Sequence, residues 1–376
     1  MANTLTPLIP SLIASVQDVT REMVPIKDVV TVDSNISQAA LNQPVTVPFT
    51  TPVAGVDIVP GANAPGGSDL TPGSVQVTMT KMRAFPFTIT GEDRRRMGEQ
   101  KGSFINGQVQ EAVRACINEM WGDILSEGIK GAGYALGTQG TNPFGSNADF
   151  AADMKKSLDD GLAPSSGRTL IIDTTTDAAL GKLGINNQTY MAGTDSILRT
   201  GEKLPLQGLR LPFTQLGYTH TKGTGTGYLV NNAAGYAVGS KVIAVDTGSG
   251  TMLRGDVVTF AGHTQKYVVA SLVGSTLTLN APLVANVADN EAITVGNGGT
   301  RLLSLAKSGI AFATRAPELP EDGDSARGRV SIFDSISGLT LSVAHYVEAY
   351  QEKYLVEAVW GAGTVRSMWT RQALSN

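Results

Sequence analysis

The stretch "MLRGDVVTFAGHTQKYVV", Met252 to Val269, decides how the rest of the chain is read. An Arg-Gly-Asp turn leads into alternating apolar residues. A second turn falls at Gly262-His263, and another strand-like run follows. Period-two alternation bounded by turn residues marks short, half-buried strands. The neighbouring segments "GYAVGSKVIAVDTGSG", "QKYVVASLVG", "STLTLNAPLV" and "EAITVGNGG" repeat the pattern. Turn signals at intervals of about ten residues predict a small β-barrel of five or six strands over 226–300. Glycine-rich "KGTGTG" before it and "GNGG" after it read as hinges. Mixed α/β sequence lies on both sides, so the barrel is expected to be inserted into a host domain rather than appended to it.

Upstream, "SFINGQVQEAVRACINEMWGDILSEGIKG" is the strongest helical segment. One row runs through Ile105, Val109, Ala112, Cys116 and Met120, and a second through Val113, Ile117, Trp121 and Ile124. Steps of three and four give a wide apolar stripe, and the rise per residue makes the helix about 40 Å long. Gly128 and Gly131 are expected to end it. Over 150–220 the reading is mixed: "FAADMKKSLDDGLA" as a helix, "RTLIID" as a buried strand, and "TDAALGKLG" as a further helix capped by Thr176 or Asp177. Downstream, "LLSLAKSGIAFATRAPEL" reads as a strand-like return. "GLTLSVAHYVEAY" and "EKYLVEAVWGAGTVRSMWTRQAL" read as long sheet strands.

The first 43 residues read as an arm with one short helix, striped by Ile13, Val16, Val19 and Met23 and stopped at Pro25. Residues 44–90 read as one long hairpin. "PVTVPFTTPV" runs out, "PGANAPGGSDLTPGS" makes a turn-rich tip, and "VQVTMTKMRAFPFTIT" runs back with Val75, Val77 and Met79 on one face. The competing reading is an ordinary surface loop. Its length exceeds what a loop without a role usually reaches, and a lone two-stranded hairpin is marginal in water without a surface to rest on.

Composition narrows the function classes. The chain has 376 residues, 41% of them apolar and 16% charged, with 43 glycines, 17 prolines and a formal net charge of −4. The apolar fraction excludes disorder. A charged fraction well below the usual quarter leaves much surface that other chains would cover. A negative net charge argues against a protein that grips nucleic acid through phosphates. No charged leader precedes the mildly apolar start and no run of 18 apolar residues occurs, so neither a signal peptide nor a transmembrane helix is expected.

Chemistry-bearing motifs are sparse. His220, His263 and His345 have no metal-ligand spacing. Asp159 and Asp160 are adjacent on a helix and do not face one site. "GTGTG" lacks the strand-then-helix context of a dinucleotide loop, and no P-loop, nucleophile elbow or zinc-protease motif occurs. Cys116 lies on the apolar helix face, which suits a core thiol better than a nucleophile. Lys241, Arg254, Lys266 and Tyr267 are too few for a nucleic-acid-binding barrel face. No catalytic residue, metal ligand or cofactor is expected. The sharpest polar feature is "GEDRRRMGEQKG". Arg94, Arg95 and Arg96 read either as clamps for carboxylates of a neighbouring subunit or as the solvated start of a helix with Glu92 and Asp93 at its positive end. Asp57 and Asp69, in the hairpin, are further inter-subunit contact candidates.

In this order of parts the chain resembles the major capsid proteins of tailed bacteriophages with the Hong Kong 97-type fold, and within them the podovirus coat proteins that carry an inserted β-barrel. The likeness is carried by "TMLRGDVVTFAG", by "SLAKSGIAFATRAPELP" (Ser304 to Pro320) and by "YLVEAVWGAGTVRSMWTRQAL", with Gly361 and Arg366 at matching places. The resemblance implies an α+β fold: N-terminal arm (1–43), extended hairpin (44–90), peripheral domain with the spine helix (91–149), axial domain (150–225), inserted barrel (226–300) and a return through both domains (301–376). It implies a non-enzymatic shell protein found in the virion, and in the host cytoplasm during assembly. Its partners would be further copies of itself in pentamers and hexamers, a scaffolding protein, a portal, and packaged double-stranded DNA bound without sequence specificity. Two other readings compete with it: a β-rich binding or adhesin-type module of a phage tail or cell surface, and an enzyme with a site of scattered residues.

Overall fold

The structure, a computed structural model, describes residues 25–50, 53, 55–58, 60, 73–97, 101–183, 201, 203–334 and 337–376. In chain order the elements that build the host body are α1 (Ile26–Val29), β1 (Thr31–Ala39), β2 (Pro44–Phe49), β3 (Gly73–Thr78), β4 (Lys81–Thr90), α2 (Gly91–Met97), α3 (Lys101–Lys130), β5 (Tyr134–Leu136), α4 (Asp149–Asp160), β6 (Arg168–Ile171), α5 (Thr174–Lys182) and β7 (Tyr218–His220). The barrel contributes β8 (Tyr228–Val230), β9 (Val242–Asp246), β10 (Val257–Phe260), β11 (Lys266–Val273), β12 (Thr276–Leu279) and β13 (Ala292–Val295). The chain returns through β14 (Gly299–Ala306), β15 (Ile310–Pro317), β16 (Gly328–Asp334), β17 (Leu339–Glu348), β18 (Gln351–Thr364) and β19 (Thr370–Leu374).

Helix α3 has 30 residues and is therefore about 45 Å long. Its stripe is buried as the periodicity requires: Ile105, Val109, Val113, Cys116, Ile117, Met120, Trp121, Ile124 and Ile129 are all at most 5% exposed. Most of them pack on strands β14, β15, β17 and β18, with Leu303, Ile310, Phe312, Leu341, Val356 and Trp360 in one core. Gly128 does not end the helix, contrary to expectation. It lies inside the last turn, where an added Cβ would sit 2.5 Å from Leu303 Cδ2 and 2.6 Å from Ile310 Cδ1. Its smallness lets helix and sheet approach, and the helix stops two residues later.

The helix lies on a six-stranded sheet in the order β1-β15-β18-β17-β16, with β4 also paired to β18. β18 is the organiser. It pairs antiparallel with β17 through 351–357, with β15 through 359–364, and with β4 through 351–360. Residues 31–39, expected in the arm, instead form β1, parallel to β15 in the chain's own sheet. Arg315 fixes it there by donating Nη2 to Asp33 Oδ2 at 2.7 Å and Nη1 to the Asp33 carbonyl at 2.8 Å. Pro25, expected to stop the upstream helix, is the N-cap of α1. The helical stripe at Ile13, Val16, Val19 and Met23 lies outside the described residues.

A second sheet joins the host body to the barrel. β14 lies between β19 and β6 and also pairs with β7, and β19 runs parallel to β5. α4 packs over this sheet through Ala151, Met154 and Leu158, against Leu170 and Leu302. The N-cap of α5 is Asp173, whose Oδ1 accepts the Thr176 N–H at 2.9 Å. Neither Thr176 nor Asp177 fills that place, because the helix begins earlier than the apolar pattern suggested.

The barrel is closed. Its strands follow the order β10-β13-β8-β9-β12-β11, and β11 pairs back with β10. Tyr228, Val230, Ile243, Val245, Val258, Phe260, Tyr267, Leu277 and Ile293 fill the interior, as alternating strands of a small barrel dictate. The flanking glycines, expected as hinges, are tightly packed. A Cβ on Gly223 would lie 2.1 Å from the Thr251 carbonyl oxygen, and one on Gly298 2.7 Å from that of His220. The Asp256 carboxylate holds this junction. It accepts Gly223 N at 3.0 Å and Leu253 N at 2.7 Å, and meets His220 Nε2 at 2.7 Å. Glycine serves here for close approach, not for freedom of rotation.

Candidate assembly surface

The hairpin stem is built from a plain register. Val45 faces Val77, Val47 faces Val75, and Phe49 faces Gly73, whose missing Cβ makes room for the Phe49 ring. At the base of the stem the chain turns from β1 into β2 at Asn42 (φ 66), which donates its N–H to the Met79 carbonyl at 2.9 Å. Asparagine tolerates this left-handed conformation. The apolar face of the stem rests on a patch of Ala39, Met79, Ala311, Ala313 and Val359. Pro44 and Pro48 are both in β2. Neither has an N–H to offer an added strand, which blunts that edge against stray pairing.

Two glycines and one arginine anchor the stem. A Cβ on Gly361 would lie 2.0 Å from the Thr78 carbonyl oxygen, and one on Gly363 2.9 Å from Val77 Cγ2. The crossing of β3 over β18 therefore needs glycine at both positions. Arg366 donates Nη2 to the Thr50 carbonyl at 2.8 Å, and its guanidinium lies over both the Phe49 and Trp369 rings. Sequence reasoning singled out Gly361 and Arg366 only through the resemblance. Their physical roles depend on a crossing between segments far apart in the sequence, which no local pattern displays.

Beyond the anchor, β2 and β3 form a two-stranded sheet of their own. Past Thr50, Val53, Val56 and Ile58 are 69%, 64% and 80% exposed, and Asp57 is exposed among them. Asp69 lies outside the described residues.

The arginine cluster occupies α2, a helix with no buried residue. Thr90 caps it, its Oγ1 accepting Asp93 N at 3.1 Å and donating to Asp93 Oδ2 at 2.7 Å. Arg94 turns inward and pairs with Glu352 on β18 of the same chain. Arg96 lies 3.9 Å from Glu92 one turn back, with both side chains open to solvent, and Arg95 is exposed. The three are thus split between an internal pair and a solvated face. Behind Glu352, His345 stacks on Tyr354 with centroids 4.6 Å apart, and Tyr354 stacks on Phe87 at 5.1 Å. Burial lowers the His345 pKa. Glu352 offsets part of that effect, while Arg327 and Arg94 add to it. Burial, with Glu352, pushes the Tyr354 hydroxyl up to about 12.

Next to this cluster, Glu348 pairs with Gln351 across the β17–β18 turn, leaving Ala349 and Tyr350 at its tip. Tyr350 has φ 58 and is 95% exposed. Its carbonyl accepts the N–H of Gly91 at 3.0 Å, tying the tip to the start of α2. An open groove of about 620 Å³ lies between them, lined among others by Ile89, Glu92, Val347 and Glu348. Nothing in the local sequence distinguished this tyrosine, since its conformation is set by the two-residue turn.

Elsewhere the polar residues are structural. Cys116 is fully buried and its thiol is pushed up to about 12 by burial, with a smaller push from Glu119. His263 lies 3.1 Å from the Asn286 carbonyl oxygen and 3.6 Å from Glu291 Oε1. Asp159 pairs with Arg168 at 2.7 Å and Asp160 with Lys156 at 2.8 Å, so the two adjacent carboxylates serve separate partners. Among the described residues, no three His, Cys, Asp or Glu side chains gather where a metal could be held, and no helix is long and apolar enough to cross a membrane.

No family model matches the chain, and no curated protein matches it. Solved structures similar to it include the capsid of the Cyanophage P-SCSP1u, at 12% identity and a TM-score of 0.49, covering 95% of this chain and 89% of that one. The mature capsid of bacteriophage PhiM1 matches at 10% identity and 0.44, covering 93% and 87%. A virus-like particle from Pyrococcus furiosus matches at 9% and 0.40, covering 97% and 98%.

Proposed function

We propose that the chain is a shell-forming structural subunit, the major capsid protein of a tailed phage, and that it performs no catalysis. The observation that carries this reading is the hairpin. Among the described residues β2 and β3 pair only with each other, are pinned at the base by Gly361, Gly363 and Arg366, and lead to a segment that exposes Val53, Val56 and Ile58. The stem rests on its own body, but the apolar extension beyond it needs a covering surface, and an identical neighbour supplies one. Heterologous contacts of that kind close into rings, here pentamers and hexamers.

The long helix and the twin sheets give the subunit a stiff body from which to reach. The inserted barrel has a filled interior and no free strand edge in its ring, which suits a module that props its host rather than one that binds a small ligand. The negative net charge suits a wall that encloses double-stranded DNA without gripping it. A scaffolding protein and a portal would act during assembly in the host cytoplasm, and the finished subunit would reside in the virion.

Negative-stain microscopy of the full chain, alone and with co-expressed neighbouring genes, tests the reading. Closed shells, spirals or polyheads are the expected result, and monomers or trimers under every condition would overturn it. Deleting residues 55–72 should leave a folded subunit that no longer forms shells; normal particles from that deletion would remove the hairpin from the argument.

A further inference from the structure

Tyr350 combines three properties, two of which Leu162 shares (φ 53, 85% exposed), but Tyr350 also borders a groove. It sits in the left-handed region, where a bulky side chain is strained and glycine or asparagine is the usual choice. Its ring is almost wholly in solvent, so no internal packing offsets that strain. Its backbone is nevertheless held fast, because the tip carbonyl accepts Gly91 N at 3.0 Å. Strain kept at a rigid, exposed position points to a function there.

The groove beside it supplies the complement. Ile89 and Val347 give it apolar walls, and Glu92 stands at its rim with its side chain 87% exposed and Arg96 at 3.9 Å from its carboxylate. Glu348, the other acid of the groove, already accepts from Gln351 at 2.9 Å. A tyrosine hydroxyl is a donor and an exposed carboxylate keeps lone pairs to accept it, so the knob and the groove are chemically matched. The same tip carries both. Copies of this chain arranged around a rotation axis can each give a knob and receive one, a heterologous contact that closes.

We propose that Tyr350 is an inter-subunit contact residue whose ring enters the tip groove of a second copy of this chain, with its hydroxyl donated to Glu92 there. The inference rests on the shell-forming reading and names one of its contacts. Aromatic anchors that fill a pocket dominate interface energetics.

The test uses the full chain as wild type, Tyr350→Gly and Tyr350→Phe, with thermal unfolding of the subunit and shell yield as paired readouts. Glycine adopts the tip conformation without strain. Tyr350→Gly should therefore unfold at or above the wild-type temperature while its shell yield falls by about tenfold or more. Tyr350→Phe should keep the ring and lose only part of the yield. A second measurement co-assembles Tyr350→Cys subunits with Glu92→Cys subunits and treats them with a bifunctional maleimide, because the two Cα atoms across this contact lie beyond the ~7 Å reach of a disulfide. Crosslinks between unlike subunits are expected, and their absence in assembled shells would overturn the contact. If wild type forms shells and Tyr350→Gly forms them equally well, this inference fails alone. If Tyr350→Gly unfolds below wild type, the residue has an internal role and the inference fails too. If wild type forms no shells, the shell-forming reading fails and takes this inference with it.

Discussion

Arg366 holds its guanidinium 4.9 Å from the centroid of the Phe49 ring, and so joins the end of the longest strand to the outermost residue of the hairpin stem. The same guanidinium lies 4.5 Å from the Trp369 ring and donates to the Thr50 carbonyl. Each cation–ring contact is worth about 0.5–1 kcal/mol at a site of this exposure. Arg366→Ala should lower subunit stability by about 1–2 kcal/mol and expose the stem to protease first. Limited proteolysis followed by mass spectrometry reads this directly, and a cleavage pattern identical to wild type would show that Arg366 does not hold the stem.

Glycine substitutions should have opposite signs at two sites. Gly361→Ala puts a Cβ 2.0 Å from a backbone oxygen of β3, and neither backbone can yield cheaply. A loss of about 1–3 kcal/mol is expected, along with an unseated hairpin. Gly122 lies in the middle of α3 with nothing within 4 Å of an added Cβ, so Gly122→Ala should stabilise by about 0.5–1 kcal/mol. Denaturant unfolding of both variants provides the check, and equal signs would refute the crossing geometry.

Asp256 should be the costliest polar residue to remove from the barrel junction. It is 1% exposed and serves Gly223 N, Leu253 N and His220. Its charge also supports buried Arg301, whose pKa burial lowers to about 10 against the opposing pull of Asp256. Asp256→Ala would leave several buried donors unsatisfied, at a cost of about 3 kcal/mol or more. Calorimetry should show a large fall in the melting temperature; a change no greater than a surface substitution's would exclude the junction role.

His345 should make the subunit acid-sensitive. Its folded pKa is below the ordinary histidine value of about 6.5, chiefly through burial, with Arg94 and Arg327 acting in the same direction and Glu352 against them. On acidification the unfolded chain takes up this proton first. The contribution of neutral His345 is therefore intact above pH about 6.5 and is lost as pH falls below it. His345→Phe keeps the stack on Tyr354 and has no proton to gain. Its stability should fall less steeply between pH 7 and 5 than that of wild type, and parallel curves would assign the acid response elsewhere.

The parts legible in the sequence were those governed by short-range periodicity. The α3 stripe was visible because Val109, Val113, Ile117 and Ile124 recur at helical spacing, and the barrel because its turns recur. Thr31–Ala39 gave no such signal. "TVDSNISQA" neither alternates nor repeats, and it becomes a strand only because β15, some 280 residues later, offers an edge and Arg315 a clamp. The roles of Gly361 and Gly363 were hidden for the same reason, since their demand for smallness is created by β3 crossing above them. Of the assembly surface, the hairpin was readable from its length and prolines. The arginine cluster was readable as charged but not as divided, because Arg94 faces Glu352 only once β18 lies beside α2. Tyr350 left no trace, since turn position and not residue type gives it its conformation.

The barrel leaves and rejoins its host at neighbouring strands, where His220 pairs with Gly299. Insertions of quite different size can be accommodated at such a doorway, because the distance between their two ends is fixed by a single strand pair. The doorway has a second jamb, however. β11 of the barrel also pairs with β5 of the host, through Tyr267 with Tyr134 and Lys266 with Ala135. A lineage that lost or exchanged this module would bare the β5 edge, so any replacement, natural or grafted to display cargo, must bring a strand of its own for Tyr134 and Ala135.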